Sequence, residues 1–502
     1  MIRHARCIAA LLLIGLTAGV AAAQDLNAVR DDQINRLKNY VLAAIRPNGL
    51  VRDSVVLNNP GGSFHPATPD AAGFALLSLA AFDHLGKMND AASRVENILR
   101  AYAGQNAGVT PDRSADGHFV HFMNVSNGAY ATGWDHSYTP IGTALLVAGA
   151  QFAANHFADN ANIRALSDQL TQSVNFNAAI HPNLNGRIFL DMGKAGGGVG
   201  GTVTNWNEFM LVESLALREE NNDRALAIKH RWLDTDFIPK RSYAGTPTLT
   251  DSASSFASGF WVQQMHFFNG DFRHSADFEQ FFLNQRDADK AYSAQALGED
   301  FRYGLTAGLV PSPEVYHADR IFDHPHNVFS PEAVAGWGDM ETLLQFYNQQ
   351  IPTSNAAYQL GMVRVSAEQP NWKPADAGLV DHLFLLFGLV ESLDPNFFAD
   401  RMFPALAAGD YNADGSVDLA DYELWKSKFG STTHLAADGN GNGRIDAGDY
   451  AIWRDNYAGV APAALVPEPA AALLMAHGAL VALIVRRRLK WFNNKGLSAE
   501  AA

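Results

Sequence analysis

The stretch TNWNEFMLVESLAL, residues 204–217, predicts a helix with one buried face and a carboxyl group at its mouth. Apolar residues recur at helical spacing in it, at Phe209, Met210, Val212 and Leu215. Glu208 stands directly after an Asn-Trp-Asn turn. A carboxyl group half-buried beside an aromatic side chain can stay protonated near neutral pH and act as an acid. The alternative is a helix-start glutamate that the helix dipole favours.

On both sides of this stretch the chain continues as helical segments separated by Pro, Gly and Asn clusters. Many segments are rich in Ala and Leu, with apolar residues at i, i+3, i+4 and i+7. The series predicts an all-α toroid over residues 24–405, without alternating strands and with long, aromatic-rich loops around a cleft. The segments are Asp32–Ile45, Asp70–Leu85, Asp90–Tyr102, Pro140–His156, Asn160–Val174, Asn205–Arg218, Ala225–Leu233, Ser252–Phe268, Ser275–Ala296, Ser330–Gln349 and Asp376–Leu393.

Several segments, in order, resemble those of the glycoamylase-like family, which includes the endo-β-1,2-glucanases. The segments are Gly49–Asp53, Asp70–Leu76, Gly117–Phe122, Pro140–Gly149, Asn207–Met210, Tyr303–Ala307, Phe329–Ala333 and Val380–His382. The resemblance implies an (α/α)6 barrel that hydrolyses a glucan with inversion of anomeric configuration, and it implies that Glu208 is the leading catalytic carboxylate. β-1,2-Glucan is the substrate that the resemblance favours.

One position departs from the family pattern. The family commonly has an Asp where this chain has Gly142, so an expected carboxylate is missing. Glycoside hydrolysis needs two carboxyl groups about 5–10 Å apart. Asp135, in a loop beside Trp134 and His136, is the first candidate for the second group, and Asp381 is the next, although Asp381 also suits a helix start. Side chains expected to contact the sugar are His121, Trp134, His136, Trp206 and Asn207.

Two other functions compete with hydrolysis. A polysaccharide lyase on a similar toroid would use His, Tyr, Asn or Arg, and His121, Tyr138 and Tyr316 are available. A surface glycan-binding or structural protein could keep the toroid without catalysis, as the missing acid at Gly142 suggests. Nucleic acid is excluded as a partner, because the net charge is −15 and no basic stripe exists to neutralise phosphates.

Residues 408–460 contain two EF-hand-like loops about 28 residues apart, each followed by a short helix with a Tyr-x-x-Trp motif. Both have glycine at loop position 6, where the turn needs a positive φ. The pattern resembles a type I dockerin, which implies two calcium ions and a cohesin-like partner; a folded spacer is the alternative. The predicted ligands are Asp410, Asn412, Asp414, Ser416, Asp418 and Asp421 in one loop, and Asp438, Asn440, Asn442, Arg444, Asp446 and Asp449 in the other.

The two ends of the chain predict export. Residues 1–23 have the basic start, apolar centre and small-residue ending of a signal peptide, and they contain the only cysteine, Cys7. Residues 466–490 comprise Val466-Pro467-Glu468-Pro469, an apolar run and a basic cluster, and they resemble a PEP-CTERM sorting signal. The resemblance implies an exosortase-type processing enzyme and a transient inner-membrane anchor. The protein is therefore expected at the cell surface, in the outer envelope or outside the cell.

Overall fold

The computed structural model describes residues 25–62, 65–183, 185–299, 301–350 and 359–457. Its helices are α1 (Leu26–Ala44), α2 (Pro69–His84), α3 (Ala91–Tyr102), α4 (Pro140–His156), α5 (Ala161–Gln172), α6 (Met210–Ala216), α7 (Asp223–Leu233), α8 (Gly259–Phe268), α9 (Gly270–Arg273), α10 (Ala276–Ala296), α11 (Pro331–Gly336), α12 (Met340–Gln350), α13 (Leu379–His382), α14 (Phe384–Glu391), α15 (Leu419–Lys428) and α16 (Ala447–Asn456).

The strands form short antiparallel pairs. They are β1 (Ser54–Val56), β2 (Ile188–Met192), β3 (Gly198–Val203), β4 (Lys240–Tyr243), β5 (Thr246–Leu249), β6 (Ala307–Val310), β7 (Val315–Ala318), β8 (Val328–Phe329), β9 (Val365–Ser366) and β10 (Asp376–Gly378). The pairs are β1 with β10, β2 with β3, β4 with β5, β6 with β7 and β8 with β9. These strands were not predicted from the sequence, because each strand is only two to six residues long and lies between helices.

The helices form two concentric rings. In the inner ring α2 contacts α4, α4 contacts α6, α6 contacts α8, α8 contacts α11, α11 contacts α14, and α14 returns to α2. The outer helices α1, α3, α5, α7, α10 and α12 each pack on an inner helix. Inner helices such as α2, α4 and α14 are buried nearly all round, whereas α3 and α5 bury one face. This is the predicted (α/α)6 barrel.

The inner helices α2 and α4 begin in the same way. Thr68 and Thr139 are extended residues whose hydroxyls accept the backbone N–H of Ala71 and Gly142, and a proline follows each threonine. A capping hydroxyl satisfies an otherwise unpaired N–H, and proline suits the first helical position, which needs no donor. Both helices therefore start at a fixed place at the same end of the barrel.

Two glycines allow α2 and α4 to cross at backbone contact. A Cβ at Gly73 would lie 2.2 Å from the carbonyl oxygen of Leu145, and a Cβ at Gly149 would lie 2.7 Å from Cα of Gly73. No larger side chain fits without separating the helices. Direct backbone contact at this crossing therefore sets the distance between α2 and α4 in the inner ring.

The toroid is closed by pairing of its first and last parts. β1 and β10 align Ser54 with Gly378 and Val56 with Asp376. The Tyr40 hydroxyl, on α1, donates to the carbonyl of Ala377 at 2.7 Å. These bonds join the segment after the first helix to the segment before α13.

Several predicted helices are shorter in the structure or interrupted. Residues 252–258 form turns, so α8 begins at Gly259, and residues 376–378 form β10 where a helix was expected. The segment predicted from Ser330 to Gln349 is two helices, α11 and α12, because Gly338 adopts a φ of +74°. Residues 205–209 precede α6 as turns, which leaves Glu208 outside the helix.

Residues 408–457 form a separate small core around α15 and α16. Trp425 and Trp453 are fully buried in it. The indole N–H of Trp425 donates to the Asp446 carbonyl at 2.8 Å, and that of Trp453 donates to the Asp418 carbonyl at 2.7 Å. Each loop is thus tied to the helix of the other, and both tryptophans are core residues.

This module rests on the toroid. Ala413, in its first loop, belongs to the main hydrophobic core, and Asn222 Nδ2 donates to the carbonyl of Asn412 at 2.9 Å. Arg218 forms a two-bond pair with Asp271 and also donates to the Pro404 carbonyl, next to the connecting segment. The first loop is therefore part of an interface.

The predicted signal peptide, residues 1–23, and the predicted sorting signal, residues 466–490, lie outside the described residues. Among the residues that the structure describes, no helix has the length and apolar character needed to cross a membrane.

Candidate active site

A cavity of about 480 Å³ lies at the end of the barrel where the inner helices begin. Because every inner helix starts at this end, side chains at their N-terminal ends converge on one space. Each inner helix, or the turn leading into it, contributes to the wall through Asp70, Gly142, Glu208, Phe260, Glu332 and Asp381.

Glu208 lines this cavity from the turn before α6. Burial raises the pKa of Glu208 to about 8, with a smaller contribution from the charge of Asp251; its own backbone N–H opposes the rise. Its Oε2 atom is buried and has no hydrogen-bond partner among the described residues. Glu208 is therefore a protonated carboxylic acid at neutral pH, with a free polar atom for a ligand.

Asp381 lines the same cavity from α13, and the Tyr316 hydroxyl donates to its Oδ1 at 3.0 Å. Burial raises the pKa of Asp381 to about 7, while the positive charge of Arg364 and the hydrogen bond from Tyr316 oppose that rise. Asp381 therefore has two neighbouring groups that favour its ionised form, whereas only the backbone N–H of Glu208 itself favours ionisation of Glu208. Environments that separate two carboxyl groups in this way are typical of an acid and its ionised partner.

A second acidic pair, Asp53 and Asp70, lies on the wall near His121. Burial, then the charge of Asp70, raise the pKa of Asp53 to about 6. Burial also acts to raise the pKa of Asp70. His121, 3.8 Å away, together with hydrogen bonds from Thr68 and the Ala71 N–H, outweighs burial and holds the pKa of Asp70 below its ordinary value. The predicted contact residue His121 is thus in the cavity, paired with an acid.

Further polar atoms of the wall have no hydrogen-bond partner in the described part of the chain. They are Gln264 Oε1, Thr306 Oγ1, Glu332 Oε2, Arg364 Nε and Arg364 Nη1. Buried polar groups left without partners are costly. A ligand rich in hydroxyl groups, or the water that it displaces, would satisfy both donors and acceptors here.

Aromatic rings form part of the same wall. Trp134 packs on Phe122 with ring centroids 4.9 Å apart, and Phe122 stacks on His121 at 4.0 Å. Tyr316 lies on another part of the wall with 58% of its surface exposed. The predicted contact residue Trp134 therefore lies on the wall of the cavity.

Two predicted contact residues do not line the cavity. Trp206 is fully buried, stacks on Phe272 and donates its indole N–H to the sulfur of Met210. Asn207 is buried, and its Oδ1 accepts the N–H of Phe209 at 2.9 Å. Both side chains instead stabilise the turn that carries Glu208, because the apolar face of α6 packs directly behind that turn.

Asp135 and His136 also lie away from the wall. Asp135 is exposed and accepts the Ser137 hydroxyl at 2.5 Å. His136 stacks on Tyr130 with centroids 3.9 Å apart, and half of its side chain is exposed. The loop turns these two side chains outward while Trp134 points inward. Asp135 acts on the cavity only through its charge, which favours protonation of His121.

Gly142 faces the cavity from the first turn of α4. A Cβ there would lie 2.8 Å from Thr139 Cγ2 and 3.2 Å from Pro69 Cγ. The capping threonine of α4 and the first proline of α2 therefore crowd the position at which the family pattern has an Asp.

The sequence did not single out several wall residues as site residues, namely Asp53, Gln264, Glu332 and Arg364. Asp53 and Glu332 lie in segments that carried the family resemblance, which was the available signal. Arg364 and Gln264 have no distinguishing local pattern, because only the closed ring brings them to the cavity.

The two predicted calcium loops have the same backbone arrangement. Gly415 and Gly443 have φ values of +88° and +78° and donate their N–H groups to Asp410 and Asp438. Asp410 Oδ1 is buried and has no partner among the described residues. A buried acceptor without a donor fits a cation ligand.

Other predicted ligands form hydrogen bonds within their own loops. Asp421 accepts three backbone N–H groups and Asp449 accepts two. Within the described ranges no three His, Cys, Asp or Glu side chains already form a metal cluster, and the expected calcium set also relies on Asn side chains and backbone carbonyls. The residues present therefore fit calcium in composition and turn geometry.

Solved structures with the same fold include glucan-degrading enzymes. One is an endo-β-1,2-glucanase from Chitinophaga pinensis in complex with sophorotriose and glucose, with a TM-score of 0.62 and 16% identity over 76% of this chain and 95% of that one. Another is a β-1,2-glucanase from Parabacteroides distasonis, with a TM-score of 0.61 and 13% identity over 75% and 58% of the two chains. A glucoamylase-like protein from Bacteroides uniformis has a TM-score of 0.61 and 16% identity over 75% and 93%.

Residues 408–454 match the family model of the dockerin type I domain. A search of curated proteins finds no match to this chain. Both predicted calcium loops lie within the matched residues. At these low identities the solved structures establish the fold of the toroid.

Proposed function

We propose that the toroid is a glycoside hydrolase that cleaves a neutral glucan, with Glu208 as the general acid and Asp381 as its ionised partner. The observation that carries the proposal is the pair itself. Both carboxyl groups line one cavity, and burial sets the pKa of Glu208 near 8 and that of Asp381 near 7. Glu208 would protonate the leaving oxygen while Asp381 activates water.

The walls of the cavity support a sugar as the ligand. Sugar hydroxyls can both donate and accept, and the unpaired atoms of Gln264, Thr306 and Arg364 require both kinds of partner. Trp134 and Tyr316 supply ring faces for stacking. β-1,2-Glucan is the leading substrate because two structural neighbours are described as β-1,2-glucanases.

Inversion of configuration belongs to the same proposal. It requires a water between the ionised carboxylate and the anomeric carbon, with the two carboxyl groups further apart than in a retaining enzyme. The measurement is NMR of the first anomer released from the substrate. Initial release of the anomer opposite to that of the cleaved bond is expected.

The charge of the cavity disfavours a polysaccharide lyase. Elimination beside a uronate carboxylate needs positive charge to neutralise that carboxylate. Besides the protonated Glu208, five carboxyl groups line this cavity, from Asp53, Asp70, Glu332, Asp376 and Asp381. Arg364 is a buried cation among the lining residues and is paired with Asp319, and His121 is paired with Asp70. An anionic sugar would meet repulsion, whereas a neutral glucan would not.

The deciding experiment measures sugar release from purified β-1,2-, β-1,3-, β-1,4- and α-1,4-glucans by the full chain with calcium. Release from β-1,2-glucan without ultraviolet absorbance of an unsaturated product supports hydrolysis. Absorbance would support the lyase. Binding of a glucan without release of sugar would support the non-catalytic glycan-binding protein and overturn the proposal.

The remaining features fit an exported enzyme with an attached module. The dockerin-like module would bind two calcium ions through the two ligand sets and dock to a cohesin-like protein. Residues 1–23 would direct export, and an exosortase-type enzyme would process residues 466–490 after transient anchoring. Detergent-phase partition and mass spectrometry of the mature termini would test this order of processing.

A further inference from the structure

The hairpin of β6 and β7 packs beside β10, the strand that leads into α13, and so reaches Asp381. Its strands pair Leu309 with Tyr316 and Gly308 with His317. Tyr316 and Gly308 both line the cavity, and the Tyr316 hydroxyl donates to Asp381 Oδ1 at 3.0 Å. The hairpin thus fixes one oxygen of a carboxyl group that lies 65 residues further along the chain, on α13.

The same hairpin leads into the residue that holds Arg364. Asp319 follows β7 directly, is fully buried and forms an ion pair with Arg364 Nη2. The other Asp319 oxygen contacts His317 Nδ1 at 2.7 Å, and Ser258 donates to the Asp319 carbonyl. Asp319 is therefore itself immobilised on three sides.

Arg364 is 4% exposed and lines the cavity with two unpartnered nitrogen atoms, Nε and Nη1, within the described chain. Its Nη2 also donates to the Thr306 carbonyl at 3.3 Å. A Cβ at Gly308 would lie 2.5 Å from Arg364 Nη1, and Gly308 has a φ of +141°. Only glycine leaves the guanidinium room beside the strand.

We propose that Tyr316 and Arg364 are positioning residues that hold the Asp381 carboxylate ionised and oriented toward the substrate. Tyr316 supplies the hydrogen bond and Arg364 supplies the positive charge, and the one hairpin fixes both. This inference rests on the proposed function, in which Asp381 acts as the ionised partner of Glu208.

The other groups around Asp381 explain why two such residues are needed. Asp53 and Glu332 face it with negative charge, and Asp376 lies on the same wall. Glu332 in turn contacts His382 Nδ1 at 3.3 Å, and Tyr40 packs edge-on against the His382 ring. Burial and like charges favour the protonated form of Asp381. Tyr316 and Arg364 are the neighbours that favour ionisation.

The test compares Tyr316→Phe with Tyr243→Phe. The first change removes only the hydroxyl that bonds Asp381, while the ring and its wall contacts remain. Tyr243 lies on the β4–β5 hairpin, where its ring contacts Tyr292 and Phe322 and it does not line the cavity. Tyr316→Phe should move the acidic limb of the kcat/KM profile upward by about one pH unit. It should lower kcat at neutral pH several-fold, whereas Tyr243→Phe should leave the profile unchanged.

A second readout needs no substrate. Infrared difference spectra between the unmodified protein and Asp381→Asn identify the carboxyl band of Asp381, and its titration is followed in Tyr316→Phe. A titration midpoint raised by about one pH unit supports the positioning role even if no glucan is hydrolysed, in which case only the proposed function fails. Glucan hydrolysis with an unchanged Asp381 midpoint and an unchanged acidic limb would overturn the positioning role and leave the hydrolase standing.

Discussion

Asn222 of the toroid donates a hydrogen bond of 2.9 Å from its Nδ2 to the carbonyl of Asn412, the third residue of the first predicted calcium loop. A cation that orders this loop would therefore also order the start of α7. Chelation of calcium should increase amide hydrogen exchange in residues 408–457 and, to a lesser extent, in α7. In Asn222→Ala the response of α7 should shrink, because the free energy that couples the first loop to α7 should fall by about 1 kcal/mol.

The control for this prediction is Asn35→Ala, which removes an exposed bond to Asp31 on α1. Hydrogen exchange followed by mass spectrometry, with and without chelator, reports each segment separately. An equal response of α7 in the two variants would contradict coupling through Asn222.

Glu208→Gln should abolish hydrolysis and preserve the fold. The amide keeps the size of the side chain but cannot transfer a proton, so kcat should fall at least about 100-fold. Asp135→Asn should lower kcat by less than about threefold, since the Asp135 side chain lies outside the cavity wall. Reducing-sugar release and circular dichroism measure both variants. A larger loss in Asp135→Asn than in Glu208→Gln would make Asp135, and not Glu208, the principal acid.

The pH dependence of kcat/KM should be bell-shaped with a narrow maximum between about pH 7 and pH 8. Glu208 must keep its proton, and with a pKa of about 8 it loses that proton above the maximum. Asp381 must be ionised, and with a pKa of about 7 it is protonated below the maximum. Initial rates from pH 5 to pH 10 provide the profile. A flat profile through pH 9 would exclude Glu208 as the proton donor.

The stability of the toroid should also depend on the protonation of Glu208. Its pKa rises from 4.5 to about 8 on folding, so the folded state binds more protons than the unfolded state between these values. The contribution is fully present below pH 4.5 and is lost as the pH rises through 8. The difference in free energy of unfolding between Glu208→Gln and the unmodified protein should therefore shift by about 2–4 kcal/mol in favour of the variant when the pH is raised from 5 to 9. Urea titrations at the two pH values measure this change, and a difference independent of pH would argue against the buried acid.

Gly73→Ala should destabilise the toroid by about 1–3 kcal/mol, because the added Cβ collides with the Leu145 carbonyl at the crossing of α2 and α4. Gly61→Ala is the matched control, since a Cβ there has no neighbour within 4 Å among the described residues. Thermal unfolding compares the two variants. Equal midpoints would mean that the helices separate at little cost.

The order of helices and the start of α4 were predictable from local signals. Pro140–His156 agrees at both ends, because Thr139 and Pro140 mark the beginning and the apolar period runs unbroken to the end. The helix predicted from Asn205 to Arg218 was too long. The Asn207 side chain accepts the backbone N–H of Phe209, which holds the residues before Met210 in a turn, so α6 begins only at Met210. Local propensity does not register such a competing bond.

The identity of the cavity wall was only partly predictable. Glu208, Asp381, His121 and Trp134 lie on it, and a helix start or an aromatic loop marked each of them in the sequence. Trp206 was misassigned because an aromatic residue next to a candidate acid packs equally well into the core. Arg364 reaches the wall through a buried ion pair with Asp319, 45 residues away in sequence, and no pattern along the chain encodes that contact.

The pairing of β1 with β10 constrains the order in which the chain can fold. Val55 meets Ala377, so the ring stays open until almost the whole toroid has been synthesised. Contacts between such distant residues form slowly, since a long loop must close before they contribute. A ribosome that has made only the first half of the toroid therefore carries an arc of paired helices with an uncovered inner face. That arc has no complete cavity, so ligand binding can begin only after residue 378 has emerged and joined the first strand.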